Sequence, residues 1–274
     1  MNWVIGIVLL VAIGYLLDRE VYFYEGVHLG PRVQSWLYDR WSRKYDEGKK
    51  ESQLRDDEML AQPLLEALNN IPEPLILDFA AGTGRLSYAL MNRPEFHGRI
   101  IAVDLSQGML EQAASKLRPY LSRFEMLRHV SLPLPFPEAS FDAVCALEVL
   151  ELFPGMDEPL AEFARVLRPG GLLLTSRGTE ESGRKAKIKS MPEYTSLLER
   201  TGFENIRVTK WWKLFDRTLA VKHGASEPVG ARSLKDVLQC PACGEIGWED
   251  RPNALRCAHC GRGVAVTKNR IVLG

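Results

Sequence analysis

The chain has 274 residues, with 35 Lys plus Arg against 35 Asp plus Glu and a formal net charge of zero. That length holds one substantial core and one small accessory module. The balanced charge excludes a global pull toward nucleic acid or anionic lipid and leaves only local basic patches to attract either.

Residues 3–17, WVIGIVLLVAIGYLL, carry no charge. Fifteen residues rise only about 22 Å as a helix, against a hydrocarbon core of roughly 30 Å. Length alone favours a buried core helix. Its place at the start of the chain and its apolar character on every face favour a membrane anchor, extended by residues 21–24 beyond a snorkelling Arg19. A buried or dimerisation helix and a cleaved signal are the alternatives, although a signal would need a basic start and a small-residue cleavage site. Arg32, Arg40, Arg43, Lys44, Lys49 and Lys50 then set the catalytic portion on the cytoplasmic side. The expectation is a single-pass, membrane-anchored protein whose residues 1–20 contact lipid.

Residues 21–71 read as a juxtamembrane and N-terminal helical cover, rich in aromatics, with a helix near 56–69 that stops at Pro72. Apolar strands and amphipathic helices then alternate. Strands are expected at 75–80, 98–106, 124–130, 141–150, 170–177, 205–213 and 216–223, with helices at 84–92, 108–120, 157–167 and 192–203. This order predicts an α/β fold, a Rossmann-like, open, mostly parallel seven-stranded sheet with helices on both faces. The expected divisions are an anchor at 1–20, the cover at 21–71, a core at 72–223, a polar linker at 224–235 and a cysteine-rich module at 236–274.

Ligands of such sheets sit beyond the carboxyl ends of the strands. The first strand ends at Asp78, and Gly82, Thr83 and Gly84 turn the chain into a helix; a glycine lets the backbone approach a ligand closely. The second strand ends at Asp104, 20 residues after Gly84, where a carboxylate can accept both hydroxyls of a ribose. A dinucleotide site wants a third small residue, and here only Ser87 is available for it. The run LDFAAGTGRL, then VDLSQGML, LPFPEASFDAV and FARVLRPGGLLL resembles the class I S-adenosylmethionine-dependent methyltransferases. The branch it is most similar to contains the ubiquinone and menaquinone C-methyltransferases, and the likeness covers roughly residues 40–222.

The resemblance implies a methyltransferase that uses S-adenosyl-L-methionine. It implies that the loop Asp78, Ala80, Gly82, Thr83 and Gly84 surrounds the methionine and ribose portions, and that Asp104 holds the ribose. Leu105 packs on the adenine with Met109 nearby, Tyr45 closes over the cofactor, and the strand-four exit at Leu147 meets the methyl acceptor. Ala80 stands where many members have glycine, which a negative φ accommodates. Val130 stands where an aspartate is usual, with His129 and Ser131 beside it. Methyl transfer needs alignment and exclusion of water, and a base only for a protonated acceptor. Glu148, Glu151 and His129 are the candidate bases, with Glu151 equally readable as a solvated helix-entry residue. The acceptor is unidentified: a small lipophilic molecule, a protein or an RNA. Arg184, Lys185, Lys187 and Lys189 border its expected position, either as a solvated face or as an attraction for an anion. A binding or scaffold protein on the same fold is the competing class.

Cys240, Cys243, Cys257 and Cys260 form two C-x2-C knuckles 13 residues apart, a spacing that closes a tetrahedral thiolate site. Two disulfides are the alternative, disfavoured in a reducing compartment. With only Trp248, Leu255, Val264 and Val266 to bury, the module needs a structural zinc to fold. The tail resembles the zinc ribbon that partners and activates certain tRNA and translation-factor methyltransferases, which implies protein or RNA contact through that module.

Overall fold

The computed structural model describes residues 2–182 and 188–274. The strands of the core are β1 (Leu75–Phe79), β2 (Arg99–Asp104), β3 (Phe124–Arg128), β4 (Phe141–Ala146), β5 (Leu167–Gly178), β6 (Phe203–Lys210) and β7 (Phe215–Lys222). β1 to β5 pair in parallel, and β7 runs antiparallel between β5 and β6. β4 is buried at every position, as a central strand covered on both faces must be. Alternate residues divide between the two faces: Leu75, Leu77, Val144 and Leu173 pack on one side, Ile76, Ile100, Ala143 and Leu174 on the other.

The crossovers are α4 (Arg85–Met91), α5 (Gln107–Lys116), α6 (Asp157–Val166) and α7 (Met191–Arg200). Each start has a local cause. Ser106 caps α5 by accepting from Met109 N at 3.0 Å, and Ser190 with Glu193 forms a capping box on α7. Ahead of β1 stand α2 (Pro31–Gln53) and α3 (Gln62–Ala67). The expected helix at 56–69 is interrupted, because its first part, Asp57–Ala61, is a π-turn.

The sheet does not stop at β3. Among the described residues it has eleven strands in the order β6-β7-β5-β4-β1-β2-β3-β11-β10-β9-β8, where β8 is Trp248–Arg251, β9 Ala254–Cys257, β10 Gly263–Val266 and β11 Ile271–Leu273. β11 pairs in parallel with β3, Ile271 opposite Met126. It thereby covers an edge that would otherwise present unpaired backbone groups. The segment before it is tethered as well. The fully buried Asp142 carboxylate accepts from Leu75 N, Arg168 Nε, Val229 N and Gly230 N at 2.7–3.2 Å.

The first helix, α1 (Asn2–Asp18), has 17 residues and is exposed from Trp3 to Asp18. Among the described residues no helix is long and apolar enough to cross a membrane. At 1.5 Å per residue α1 reaches only about 26 Å before Arg19 and Glu20 follow. This overturns the expected single-pass anchor, and with it the lipid contact and the cytoplasmic orientation that rested on a spanning helix.

Candidate active site

The site lies at the carboxyl ends of β1, β2 and β4 under α2. Beyond β1 the chain turns through Ala80, Gly82 and Gly84 with φ of 53°, 54° and 73°. The negative φ expected at Ala80 is therefore not what the turn adopts. A left-handed alanine costs on the order of 1–2 kcal/mol. Gly84 has a second reason to be glycine, since a Cβ there would meet Leu117 Cδ1 at 2.8 Å. Asp78 is buried and accepts from Ser87 Oγ at 2.6 Å. Ser87, the residue that fails the dinucleotide pattern, thus serves the loop from beneath.

Asp104 accepts from Gly82 N and Ser106 N, both at 2.8 Å, which ties the glycine turn to the second strand. Burial raises the carboxyl of Asp104 to about 6, with the Gly82 and Ser106 amides opposing the shift. Burial raises Asp78 to about 6 too, opposed by Ser87.

Two cavities meet at Ala80, which lines both. The larger, about 350 Å³, has Asp104, Leu105, His129 and Val130 in its wall, together with apolar Phe79, Leu132 and Phe153. The smaller, about 60 Å³, has Tyr45, Asp78, Gly82, Thr83, Leu147 and Glu148 in its wall, with Lys49 and Arg85. The sequence-derived set is thus brought together around one cleft, with three residues set apart. Gly84 lines neither cavity, Met109 is buried on α5, and Glu151 lies in a separate cavity of about 250 Å³ beside Met156 and Lys189. Glu151 is 4% exposed, so it is a buried residue and not a solvated helix entry. Arg184, Lys185 and Lys187 lie outside the described residues.

Charge is unevenly shared. Glu148, left-handed at φ 54°, accepts from Lys49 Nζ at 2.5 Å and Arg85 Nη1 at 3.0 Å, and Arg85 also grips Asp56. His129 Nε2 meets Pro133 O at 3.2 Å, a donor role that fixes its tautomer. Burial lowers the His129 pKa, with the Pro133 carbonyl opposing the shift. Val130 is exposed to the cavity and offers no polar atom to it. The phenol of Tyr45 is pushed upward by burial, with Glu148 adding to the shift.

Sequence reasoning missed most of α2. Ser35 Oγ donates to Leu105 O at 2.9 Å, Asp39 Oδ1 accepts from Ser106 Oγ at 2.6 Å and Gly108 N at 2.7 Å, and Asp46 accepts from Thr83 Oγ1 at 2.6 Å. With Ser42, Lys49 and Gln53 these residues recur every three or four positions. That period is a polar stripe facing inward, the signal that could have marked α2 as the roof of the cleft.

The four Sγ atoms of Cys240, Cys243, Cys257 and Cys260 lie within 4.8 Å of one another, with Cys240–Cys260 at 3.6 Å and Cys243–Cys257 at 3.7 Å. Four ligands about 2.3 Å from a tetrahedral zinc would stand roughly 3.8 Å apart, so the donor set fits such an ion. Each knuckle ends in a left-handed glycine, Gly244 at φ 77° and Gly261 at φ 76°.

Residues 76–171 match the profile of a family described as a methyltransferase domain. A demethylmenaquinone methyltransferase from Lactococcus lactis is 30% identical over 141 residues, 51% of this chain and 56% of that protein. Another from Clavibacter sepedonicus is 33% identical over 148 residues, 53% of this chain and 57% of that protein. The chain spans somewhat more than half the length of these curated relatives. A crystal structure of an S-adenosylmethionine-dependent methyltransferase from Aquifex aeolicus shares the fold, with TM-score 0.54 at 19% identity over 67% of this chain and 98% of that one. Residues 76–171 therefore match a methyltransferase domain, and over about half its length the chain is similar to the demethylmenaquinone methyltransferases, on a fold it shares with the Aquifex enzyme.

Proposed function

We propose that the protein is an S-adenosylmethionine-dependent methyltransferase acting on a small lipophilic acceptor, with residues 72–223 as its catalytic core. The observation that carries this reading is Asp104, held by two backbone amides at the carboxyl end of β2 and facing an apolar cavity of about 350 Å³. A carboxylate there has lone pairs left for two ribose hydroxyls. Leu105 and Val130 offer flat apolar contact for an adenine, and Ala80, Gly82 and Thr83 bring backbone close to the narrower end. The cofactor, when bound, supplies an electrophilic methyl group. The protein then has to orient the acceptor, exclude water and avoid competing nucleophiles.

Support for a lipophilic acceptor comes from Phe79, Leu132, Val149, Leu152 and Phe153 in the cavity wall, and from relatives named for demethylmenaquinone. A protein or RNA acceptor is the competing class. Glu148, Glu151 and His129 remain the groups able to take a proton, and His129 is the one that lines the large cavity. We further propose that residues 236–274 form a zinc ribbon, a docking module for protein or RNA, in which the four thiolates hold a structural zinc that takes no part in transfer.

Titration calorimetry of the zinc-loaded chain with S-adenosylmethionine tests the reading. Wild type should bind at one site, and Asp104→Ala should bind about tenfold or more weakly with its circular dichroism unchanged, since charge-assisted hydrogen bonds contribute about 1.5–3 kcal/mol each. Absence of binding by wild type would return the chain to the class of binding proteins on a methyltransferase fold.

A further inference from the structure

The two cavities differ in what fills them. The larger is apolar and open, whereas the smaller is closed down by charged side chains from three elements. Lys49 comes from α2, Arg85 from the start of α4 and Glu148 from the exit of β4. Glu148 uses both carboxylate oxygens, Oε2 toward Lys49 at 2.5 Å and Oε1 toward Arg85 at 3.0 Å. The second partner of Arg85 is Asp56, and its guanidinium also lies 5.0 Å from the Trp211 ring centroid. Arg85 is therefore fixed in place whether or not Glu148 stays. Lys49 and Glu148 are the more solvated members, with side chains 31% and 17% exposed against 14% for Arg85.

These facts bear on the amino-acid end of the proposed cofactor, and the inference rests on that reading. A methionyl group carries an α-carboxylate, chemically the same group as the end of a glutamate side chain. We infer that Glu148 is a stand-in for that carboxylate: it bridges Lys49 and Arg85, the two cations that the α-carboxylate takes over when it enters the small cavity. Exchange of one carboxylate for another at Lys49 and Arg85 leaves neither cation unpaired in a partly buried site. It also removes the side chain that narrows the cavity. Direct capture of the ligand's ammonium by Glu148 is the opposing arrangement. It is disfavoured because both oxygens of Glu148 already serve cations.

The arrangement predicts that Lys49 and Glu148 set affinity for the amino-acid end only, with opposite signs. The test is calorimetry on the full chain with S-adenosylhomocysteine, which has that end, and methylthioadenosine, which lacks it. Glu148→Gln should tighten S-adenosylhomocysteine by about three- to tenfold, and Lys49→Met should weaken it by about tenfold, the equivalent of 1.4 kcal/mol. Methylthioadenosine should change less than about twofold in either variant, which also serves as the check that each variant is folded. Weaker S-adenosylhomocysteine binding in Glu148→Gln, or equal loss of both ligands in Lys49→Met, would overturn the exchange while leaving the cofactor assignment standing. Failure of wild type to bind either ligand would overturn the cofactor assignment itself.

Discussion

One continuous ladder of strands joins two regions that differ in how much they can bury. From β5 to β3 the sheet is buried on both faces by apolar side chains. From β10 to β8 it has little to bury: within those three strands only Leu255, Val264 and Cys257 fall below a tenth exposed. The core can be stabilised by burial, at roughly 25 cal/mol per Å² of apolar surface. The cysteine module buries less, although Leu255, Val264 and Val272 join the core cluster, and under our proposal its four clustered thiols add a bound zinc. Between them stands β11, whose Ile271 and Val272 are buried against the core. The join belongs to the core by its packing and to the module by its connection.

The largest effect that would sharpen this contrast is metal removal. Chelation at neutral pH, or Cys240→Ser, should abolish hydrogen-exchange protection in β8, β9 and β10 while β1, β4 and β5 keep theirs. The effect is large because zinc binding by such ligands is on the order of 10 kcal/mol. Protection that survives without metal would mean the module folds by burial after all.

A pH series should separate the two regions by sign. Asp78 and Asp104 titrate at about 6 in the folded protein, above the roughly 3.9 of an unfolded chain. Between those values the native state takes up protons that the unfolded state does not. The contribution of these two groups to stability therefore grows as pH falls from about 6 toward 4, and is lost as pH rises through 6. Urea titrations of wild type and Asp104→Asn should show wild type gaining on the variant as pH falls through that window. Metal binding by thiolates runs the other way and weakens with acid. A stability gap between wild type and Asp104→Asn that is independent of pH would remove the core half of the contrast.

The smallest effect is confined to the core. Ala80→Gly relieves a left-handed alanine and should raise stability by about 0.5–1 kcal/mol in urea unfolding, less than the full penalty because glycine gives up more chain entropy. A loss of stability would show that the Cβ of Ala80 contributes more in packing than its φ costs.

Much of the core was readable before any coordinates. β1, β2, β4 and the helices after them fall within a few residues of expectation, because inner parallel strands are continuous apolar runs and their helices alternate with them. The loop from Asp78 to Gly84 and Asp104 were legible for the same reason, as strand ends carrying residues that strands do not need. What escaped has physical causes. The Ile271–Leu273 strand is three residues long, too short for periodicity to register, and its partner β3 is remote in sequence. The stripe on α2 escapes a sequence reading because polar residues on a helix usually face water, and here they face the glycine turn and the turn after β2. Residues 3–17 misled in the opposite sense: an all-round apolar composition suggested a membrane span, but 17 helical residues fall short of one. The conformations of Ala80 and Glu148 depend on turns that only the folded sheet imposes.

The most direct test of the central claim is a crystal structure of the full chain with S-adenosylhomocysteine. The account predicts density across both cavities, the ribose hydroxyls within hydrogen-bonding distance of Asp104 and the amino-acid end between Lys49 and Arg85. Density elsewhere, or a ribose that leaves Asp104 untouched, would contradict it.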